Sequence, residues 1–409
     1  LTWFNPFRII VPASDKPHLV ASRSYLSYGK AELQDKLDRN PYSYLHVINP
    51  AGTSKSPAKR GSEAFYQLVR QRFESFLADG WLQAQEAPAF AIYRQTRETH
   101  VCTGVVGVLG IQSVEDGRLK LHEQTLEKRE KLFAKYLDTV GCHAEPILCM
   151  YPDAGETGQG VSAWMVEWTE RNRPDMDFST TDRIRHSVWT VPAEEAADFP
   201  ALVNALEAVY LADGHHRIAS SRRLAAKYPN EPAKQGVLAY AVPASELIIR
   251  PYHRELVHGD WDAERWEAAF ETLGDCLHWD RIDGESGAPN SVGVVHVHTA
   301  AASWRLQWND ELLNRGEVDA ELLQTHVFER VFRVVDARND PRLKYVPGTV
   351  GSLELKARAA KHPDCALFEL HAVTPEQLMA TADANGFLPP KSTWIEPKLR
   401  SGLFIHEIQ

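Results

Sequence analysis

Hydrophobic and polar positions change period many times along this chain, and each change marks an element. Apolar residues at helical spacing predict helices over Lys30 to Leu37 and Ser62 to Leu77, whereas the compact runs Tyr44 to Ile48 and Ala89 to Tyr93 read as strands. From residue 101, Val-Cys-Thr-Gly-Val-Val-Gly-Val-Leu-Gly-Ile predicts a buried strand kinked by its glycines. An Asp116-Gly117 turn then leads into a strand over Arg118 to Leu121, and the two strands are expected to form a hairpin. Leu126 to Val140 follows as a helix with Leu132, Phe133, Tyr136, Leu137 and Val140 in one apolar stripe, so Glu123 sits where a strand gives way to a helix. Pro146 to Tyr151 is a further strand, and the Gly- and Asp-rich Asp153 to Gly160 reads as a loop. Residues 152 to 207 as a whole read as an insertion.

The run Val209-Tyr210-Leu211-Ala212 predicts a short buried strand, and Ile218, Ser221, Ala225 and Tyr228 then fall on one face of a helix. Val237 to Val242 is a strand, and Leu247 to Arg250 runs into Pro251-Tyr252-His253-Arg254. Beyond residue 260 the chain changes character, with a Trp-rich start, a polar loop near Gly284 to Ser291, strands at Val292 to Val297 and Ala366 to Leu370, and a helix near Leu322 to Phe332. The pattern is α/β (α+β) and suggests three segments: 1–100, a central core over 101–258, and a C-terminal α/β domain over 259–409.

Composition narrows the class. With 409 residues, 44% hydrophobic and 24% charged, the chain can bury two or three cores. A net charge of −10 disfavours a sequence-independent grip on nucleic acid. The five cysteines (Cys102, Cys142, Cys149, Cys276 and Cys365) are scattered, with no C-x-x-C pair, which points away from a disulfide framework or a cysteine zinc site and toward a reducing cytoplasm. No run approaches the roughly 20 apolar residues needed to span a bilayer. The opening Leu1-Thr2-Trp3-Phe4 lacks the regions of a signal peptide, and Leu1 in place of Met suggests that a few residues precede it.

The chemistry concentrates in Asp213-Gly214-His215-His216-Arg217, at a junction of strand, tight turn and helix. Gly214 supplies a permissive backbone, and the first helical turn offers unpaired amides beside two imidazoles and a guanidinium. These are the parts of a phosphate site. Asp213 is a helix cap, a metal ligand or a base. Adjacent His215 and His216 point about 100° apart on a helix and do not chelate one metal together. His122-Glu123 is a second candidate pair, read either as a capping arrangement or as a functional one. Arg254, with His253 beside it, ends an apolar strand and could clamp a substrate carboxylate. Lys391, Ser392 and Lys398 lie among prolines, in a segment that either closes over an anion or wraps the fold. His186 and Trp189 read as packing residues.

Several segments together resemble the bacterial family filed as domain of unknown function 1015, and they span the whole chain. They are Asn40-Pro41-Tyr42-Ser43-Tyr44-Leu45-His46-Val47, His122-Glu123-x-Thr125, Ala212 to Arg217, Pro251 to Arg254, Pro389-Pro390-Lys391-Ser392-Thr393, and Pro397-Lys398-Leu399. The sequence departs from that pattern at Lys128-Arg129-Glu130-Lys131. More remotely, the order strand, His122-Glu123, helix, strand, strand, Asp213 to Arg217, helix, strand is similar to the ParB/sulfiredoxin-like core. In that fold the free-serine kinases carry a proposed Glu base before the first helix and an Asp-Gly-His-His-Arg turn that holds nucleotide phosphates. Glu123 and residues 213–217 match those two elements. The separation of about 90 residues is wider than in the compact fold, so residues 152–207 are expected to loop out.

That resemblance implies a cytoplasmic kinase that uses ATP or ADP with Mg²⁺ to phosphorylate a small hydroxy amino acid, free serine being the favoured acceptor. Glu123, Asp213 and His216 would be catalytic, with Asp213 also the Mg²⁺ ligand. Gly214, His215, His216, Arg217, His122 and Thr125 would bind nucleotide phosphate, and Arg254, His253, Lys391, Ser392 and Lys398 the substrate. Rival readings are a phosphatase or nucleotide hydrolase on the same cradle, a zinc hydrolase using His122, Glu123, Asp213 and His215, and a ParB-like nucleotide-binding regulator. No nucleic-acid or membrane partner is expected; the oligomeric state is open, a homodimer among the options.

Overall fold

The structure is a computed structural model and describes residues 3–50, 58–284 and 287–409. Leu1, Thr2 and residues 285–286 of the expected 284–291 loop lie outside the described residues. The chain divides into two compact units, Leu1–Leu247 with Pro397–Gln409, and Ile248–Glu396. Each is a mixed α/β unit built on one large sheet.

Among the described residues the large sheet of the first unit has nine strands: β1 (Phe4–Asn5), β2 (Ala89–Arg97), β3 (His100–Gly110), β4 (Leu119–Lys120), β5 (Ile147–Tyr151), β6 (Met176–Ser179), β7 (Arg185–Pro192), β8 (Val209–Asp213) and β9 (Gly236–Pro243). Their order is β4-β8-β5-β9-β3-β2-β7-β6, with β1 alongside β3. The run 101–111 is indeed a long strand, and its Gly107 lets Phe4 close on the backbone, because a Cβ there would stand 2.6 Å from the Phe4 ring. The hairpin, however, lies one strand earlier than expected. β2 and β3 pair antiparallel across a turn at Glu98 and Thr99, while β4 leaves the Asp116-Gly117 turn to pair parallel with β8.

Residues 152–207 are not looped out. They contain α5 (below), β6, β7 and α6, and β7 pairs with β2 over its full length, from Arg185↔Thr96 to Pro192↔Ala89. His186 and Trp189 are buried within this region, and the His186 Nδ1 lies 2.7 Å from the Tyr93 hydroxyl. The helices of the unit include α1 (Lys30–Arg39), α2 (Leu45–Ile48), α3 (Glu63–Ala78), α4 (Glu127–Val140), α5 (Glu156–Arg171), α6 (Phe199–Ala205) and α7 (His215–Lys227). Two expectations fail here. Tyr44 to Ile48 forms a helical turn, since a five-residue apolar run fits either period when packing decides. The loop expected through Gly160 gives way at Glu156 to α5, whose Val161 and Met165 are drawn into the core with Phe199 and Val203. On α4 the apolar stripe narrows: Leu137 and Val140 are buried, while Leu132 and Phe133 remain exposed. Leu137 meets Leu224 of α7 and Ile408, and this packing sets α7 beside α4. No helix is long and apolar enough to cross a membrane among the described residues. All five cysteines are buried free thiols.

Among the described residues the second unit has seven strands: β10 (Ile248–Val257), β11 (Leu277–Arg281), β12 (Val294–His298), β13 (Ser303–Trp308), β14 (Leu343–Pro347), β15 (Cys365–Leu370) and β16 (Thr393–Glu396). Their order is β11-β13-β12-β15-β10-β14, with β16 also on β10. Buried Trp266 and Phe270 of α8 (Ala263–Glu271) pack on Trp304 of β13, with Trp266 also against Phe368 of β15, and α9 (Ser352–Lys361) covers β15. In place of one helix over 322–332, a short α-turn at Asp319–Leu322 continues as a π-helix over Leu323–Glu329.

Candidate functional site

β8 carries a register irregularity between Leu211 and Asp213, which turns the Asp213 carboxylate out of the alternating pattern of the strand. The next residue, Gly214, has φ 108° and is the N-cap of α7. Two constraints meet there: the left-handed backbone, and a Cβ that would stand 2.9 Å from Ile147 Cγ2 and 3.0 Å from Arg217 Nε. Among the described residues no side chain caps the helix, and its first intrahelical bond is Ile218 N to Gly214 O at 3.0 Å. The amides of His215, His216 and Arg217 thus face outward at the positive end of the helix.

Asp213 is therefore not the cap. Its Oδ2 accepts from Arg217 Nη2 at 2.7 Å and its Oδ1 lies 4.0 Å from Lys398 Nζ. Arg217 Nη1 donates to Glu145, whose other oxygen accepts from Ser401 Oγ at 2.8 Å. Burial opposes the Arg217 charge, but Glu145 and Asp213 outweigh it and hold the guanidinium above its usual pKa. Arg217, expected as a phosphate donor, is committed to two carboxylates and positions them.

The imidazoles, expected as side-chain donors to phosphate, are lowered in pKa by burial. The His122 and His215 rings meet edge to face at 4.5 Å, both buried. Desolvation, partly countered by Asp213, brings His122 down to about 4. Desolvation, with His122, His216 and Arg217 adding to it, takes His215 well below the ordinary value. His216 is lowered by burial and by Arg129, with Glu130 opposing. All three are neutral near pH 7 for the same reason: burial penalises the imidazolium. His122 Nδ1, His215 Nε2 and His216 Nδ1 are buried and have no hydrogen-bond partner among the described residues.

Glu123 Oε2 lies 3.8 Å from His215 Nδ1, and the side chain is 44% exposed. It opens on a cleft of about 550 Å³ lined also by Leu121, Thr125, Glu130, Arg222 and Arg223. Thr125 Oγ1 donates to Glu130, which also takes Arg223 Nε at 2.6 Å, so Thr125 is tied into a charged cluster on the cleft wall. The structure thus gathers His122, Glu123, Asp213 to Arg217 and Lys398 around the start of α7. Lys398 belongs to the first unit through the returning tail, where Ser401 bridges to Ser22 and Ile405 to Ile10.

The other expected substrate residues belong to the second unit. Arg254 is buried on β10, donating to Tyr252 O at 2.7 Å with its guanidinium 4.6 Å from the Tyr345 ring centre. Desolvation, opposed by Tyr345 and Tyr252, lowers it to about 10. His253 Nδ1 accepts from Leu370 N at 3.2 Å, Lys391 lies over the Tyr252 ring at 5.1 Å, and Ser392 donates to Pro389 O at 2.7 Å. Glu145 and Ser401 were not singled out from the sequence; each stands alone between elements, with no spacing to betray it.

A family model described as a protein of unknown function (DUF1015) matches residues 4–336, most of the chain. The chain belongs to the DUF1015 family. No curated protein matches it. Among solved structures, SbnI with a C-terminal truncation, from Staphylococcus aureus, is 12% identical with a TM-score of 0.37, over 71% of the DUF1015 chain and 82% of its own. A free serine kinase in complex with AMP is 14% identical with a TM-score of 0.36, over 73% and 90%. A conserved hypothetical protein from Pyrococcus furiosus is 13% identical with a TM-score of 0.35, over 72% and 93%. Superpositions this loose carry no residue-level argument, and the site stands on its own geometry.

Proposed function

We propose that this DUF1015 protein is a nucleotide-dependent kinase that phosphorylates the hydroxyl of a small hydroxy amino acid, with free serine the favoured acceptor. One observation carries the reading: a carboxylate, Glu123, faces an open cleft beside a helix start whose amides have no side-chain cap and whose imidazoles carry buried polar atoms without partners among the described residues. Phosphoryl transfer asks little of a protein beyond positioned donors and a group to take the acceptor's proton. In this reading the first-turn amides of α7 and Lys398 hold the nucleotide phosphates, and neutral His122 and His215 add N–H donors. Glu123 takes the serine hydroxyl proton as the new O–P bond forms and the P–O bond to the nucleotide breaks. Arg217 keeps Asp213 and Glu145 in place.

The donor set does not suit a protein-held Mg²⁺ at Asp213. Both its oxygens face cations, and among the described residues Glu123, Asp213 and Glu145 do not gather as a ligand group. No step is assigned to the metal. The ParB/sulfiredoxin-like assignment is part of the same proposal: β4, α4, β5, β8, α7 and β9 follow the expected order, and residues 152–207 extend the far edge of the sheet through β7 and β6. A cytoplasmic location belongs to it as well, supported by five free thiols.

The test is a ³¹P NMR time course of the full chain with serine and either ATP or ADP. Phosphoserine appearing together with the shortened nucleotide is the expected result. Nucleotide loss with orthophosphate alone would make the protein a hydrolase, and binding without turnover would make it a regulator; either overturns the kinase reading.

A further inference from the structure

The second unit holds a cluster of side chains that the kinase reading does not use. β12 and β15 run antiparallel with His296 directly opposite Glu369, and the two-residue strand period places His298 on the same face as His296. His298 Nε2 lies 3.1 Å from Glu369 Oε2 and His296 Nδ1 lies 4.0 Å from the same oxygen. One donor atom from each residue falls within 4.8 Å of the others. Ligand atoms around a tetrahedral Zn²⁺, at 2.0–2.1 Å from the ion, stand about 3.3 Å apart, and the two measured separations bracket that spacing.

The remaining atoms of two of these side chains are occupied elsewhere. His298 Nδ1 bonds Ser303 Oγ at 2.9 Å, and Glu369 Oε1 accepts from Ser352 Oγ at 2.5 Å. Outer partners of this kind fix the orientation of metal ligands, and here they leave His298 Nε2 and Glu369 Oε2 turned toward the common centre. His296 is 7% exposed, and its Nδ1 has no hydrogen-bond partner among the described residues. A His298 to Glu369 hydrogen bond alone accounts for two of the three groups and leaves that nitrogen stranded. A cation at the centre satisfies all three.

We propose that His296, His298 and Glu369 form a binding site for a divalent transition-metal ion of the Zn²⁺ class, with water in the fourth position. Two imidazoles and one carboxylate suit Zn²⁺ and its borderline neighbours, whereas Mg²⁺ and Ca²⁺ prefer oxygen throughout. The site lies wholly in the second unit and is independent of the phosphate chemistry proposed for the first.

The full chain, stripped with a chelator, is titrated with Zn²⁺ against a chromophoric competitor, and separately with Co²⁺ while visible absorption is recorded. The expected result is one Zn²⁺ per chain and the intense bands of four-coordinate Co²⁺. His296→Gln and Glu369→Gln should weaken binding beyond the roughly 10–100-fold typical of outer-partner changes, while Ser303→Ala should fall within that range. Asp213→Asn should leave the stoichiometry at one. Metal-free unfolding curves establish that the variants fold; if they do not, the wild-type Co²⁺ spectrum decides alone. Failure of the wild type to bind Zn²⁺, six-coordinate Co²⁺ bands, or undiminished binding in folded His296→Gln would overturn the site.

Discussion

Arg217 reaches Glu145 across 72 positions of sequence while its second terminal nitrogen holds Asp213 at 2.7 Å, one helical turn away. One guanidinium thereby ties the start of α7 to the segment that enters β5, and keeps two carboxylates from repelling one another. Both Arg217 and Glu145 side chains are 25% exposed, so the network lies between a surface and a buried ion pair. Arg217→Ala should destabilise the first unit by about 1–3 kcal/mol, below the cost of breaking a fully buried pair because solvent screens part of it. Glu145→Gln should cost less, since its amide still accepts a hydrogen bond. Urea unfolding of the single and double variants measures the coupling; additive losses would mean that the three groups act independently.

Gly214 is held by backbone and by space at once. With φ at 108° and Arg217 Nε 3.0 Å from where a Cβ would go, Gly214→Ala should destabilise by about 1–3 kcal/mol and displace the guanidinium. Unfolding midpoints check the first part. A denaturation curve matching wild type would show that the turn relaxes freely.

Glu123 contributes little to the core, being 44% exposed on the cleft. Glu123→Gln should therefore unfold within about 0.5 kcal/mol of wild type, retain nucleotide affinity, and lose turnover by about 10²-fold or more, the usual loss for a missing general base. Turnover within a factor of two of wild type would place the base elsewhere.

Burial lowers His122 and His406 to about 4, and burial, with smaller charge effects, lowers His143 and His186 to about 3. An unfolded chain protonates these imidazoles near pH 6.5 while the native state does not. The stability they support is therefore complete above about pH 6.5 and is lost as pH falls toward about 4 for His122 and His406 and about 3 for His143 and His186, at up to roughly 1.4 kcal/mol per pH unit per group. Asp319, in the second unit, works the other way: desolvation, against a hydrogen bond from Gly293, lifts it to about 7, so its contribution grows as pH falls from 7 toward 3.8. The informative quantity is thus the difference between wild type and His122→Gln. That difference should change by about 2 kcal/mol between pH 7 and pH 5, the effect of one extra proton bound by the unfolded chain; a pH-independent difference would mean His122 is not held neutral.

The strand, turn and helix around Gly214 were legible because an apolar run of four meets a glycine and then a helical stripe, and Glu123 was legible as a residue between periodic segments. The state of the site was not. His215 and His216 read as side-chain donors from residue type alone, and only the packing of α7 against its neighbours shows that burial lowers their pKa. Asp213 read as a cap, a metal ligand or a base; the left-handed Gly214 takes the cap position, and Arg217 and Lys398 face the Asp213 carboxylate oxygens. β4 was expected to pair with its sequence neighbour, but strand pairing is set by distant partners, here Val209 and Tyr210 of β8. The His296, His298 and Glu369 cluster lies across two strands whose register no local pattern reveals.

The central claim is that the uncapped start of α7, with Lys398 alongside, grips nucleotide phosphates. Isothermal titration of ATP and ADP into the full chain, and into Lys398→Ala, tests it most directly. The account predicts micromolar binding of at least one nucleotide by the wild type and about tenfold weaker binding by the variant, the cost of one charge-assisted contact. Binding of neither nucleotide by folded wild-type protein, or equal affinity in the variant, would contradict it.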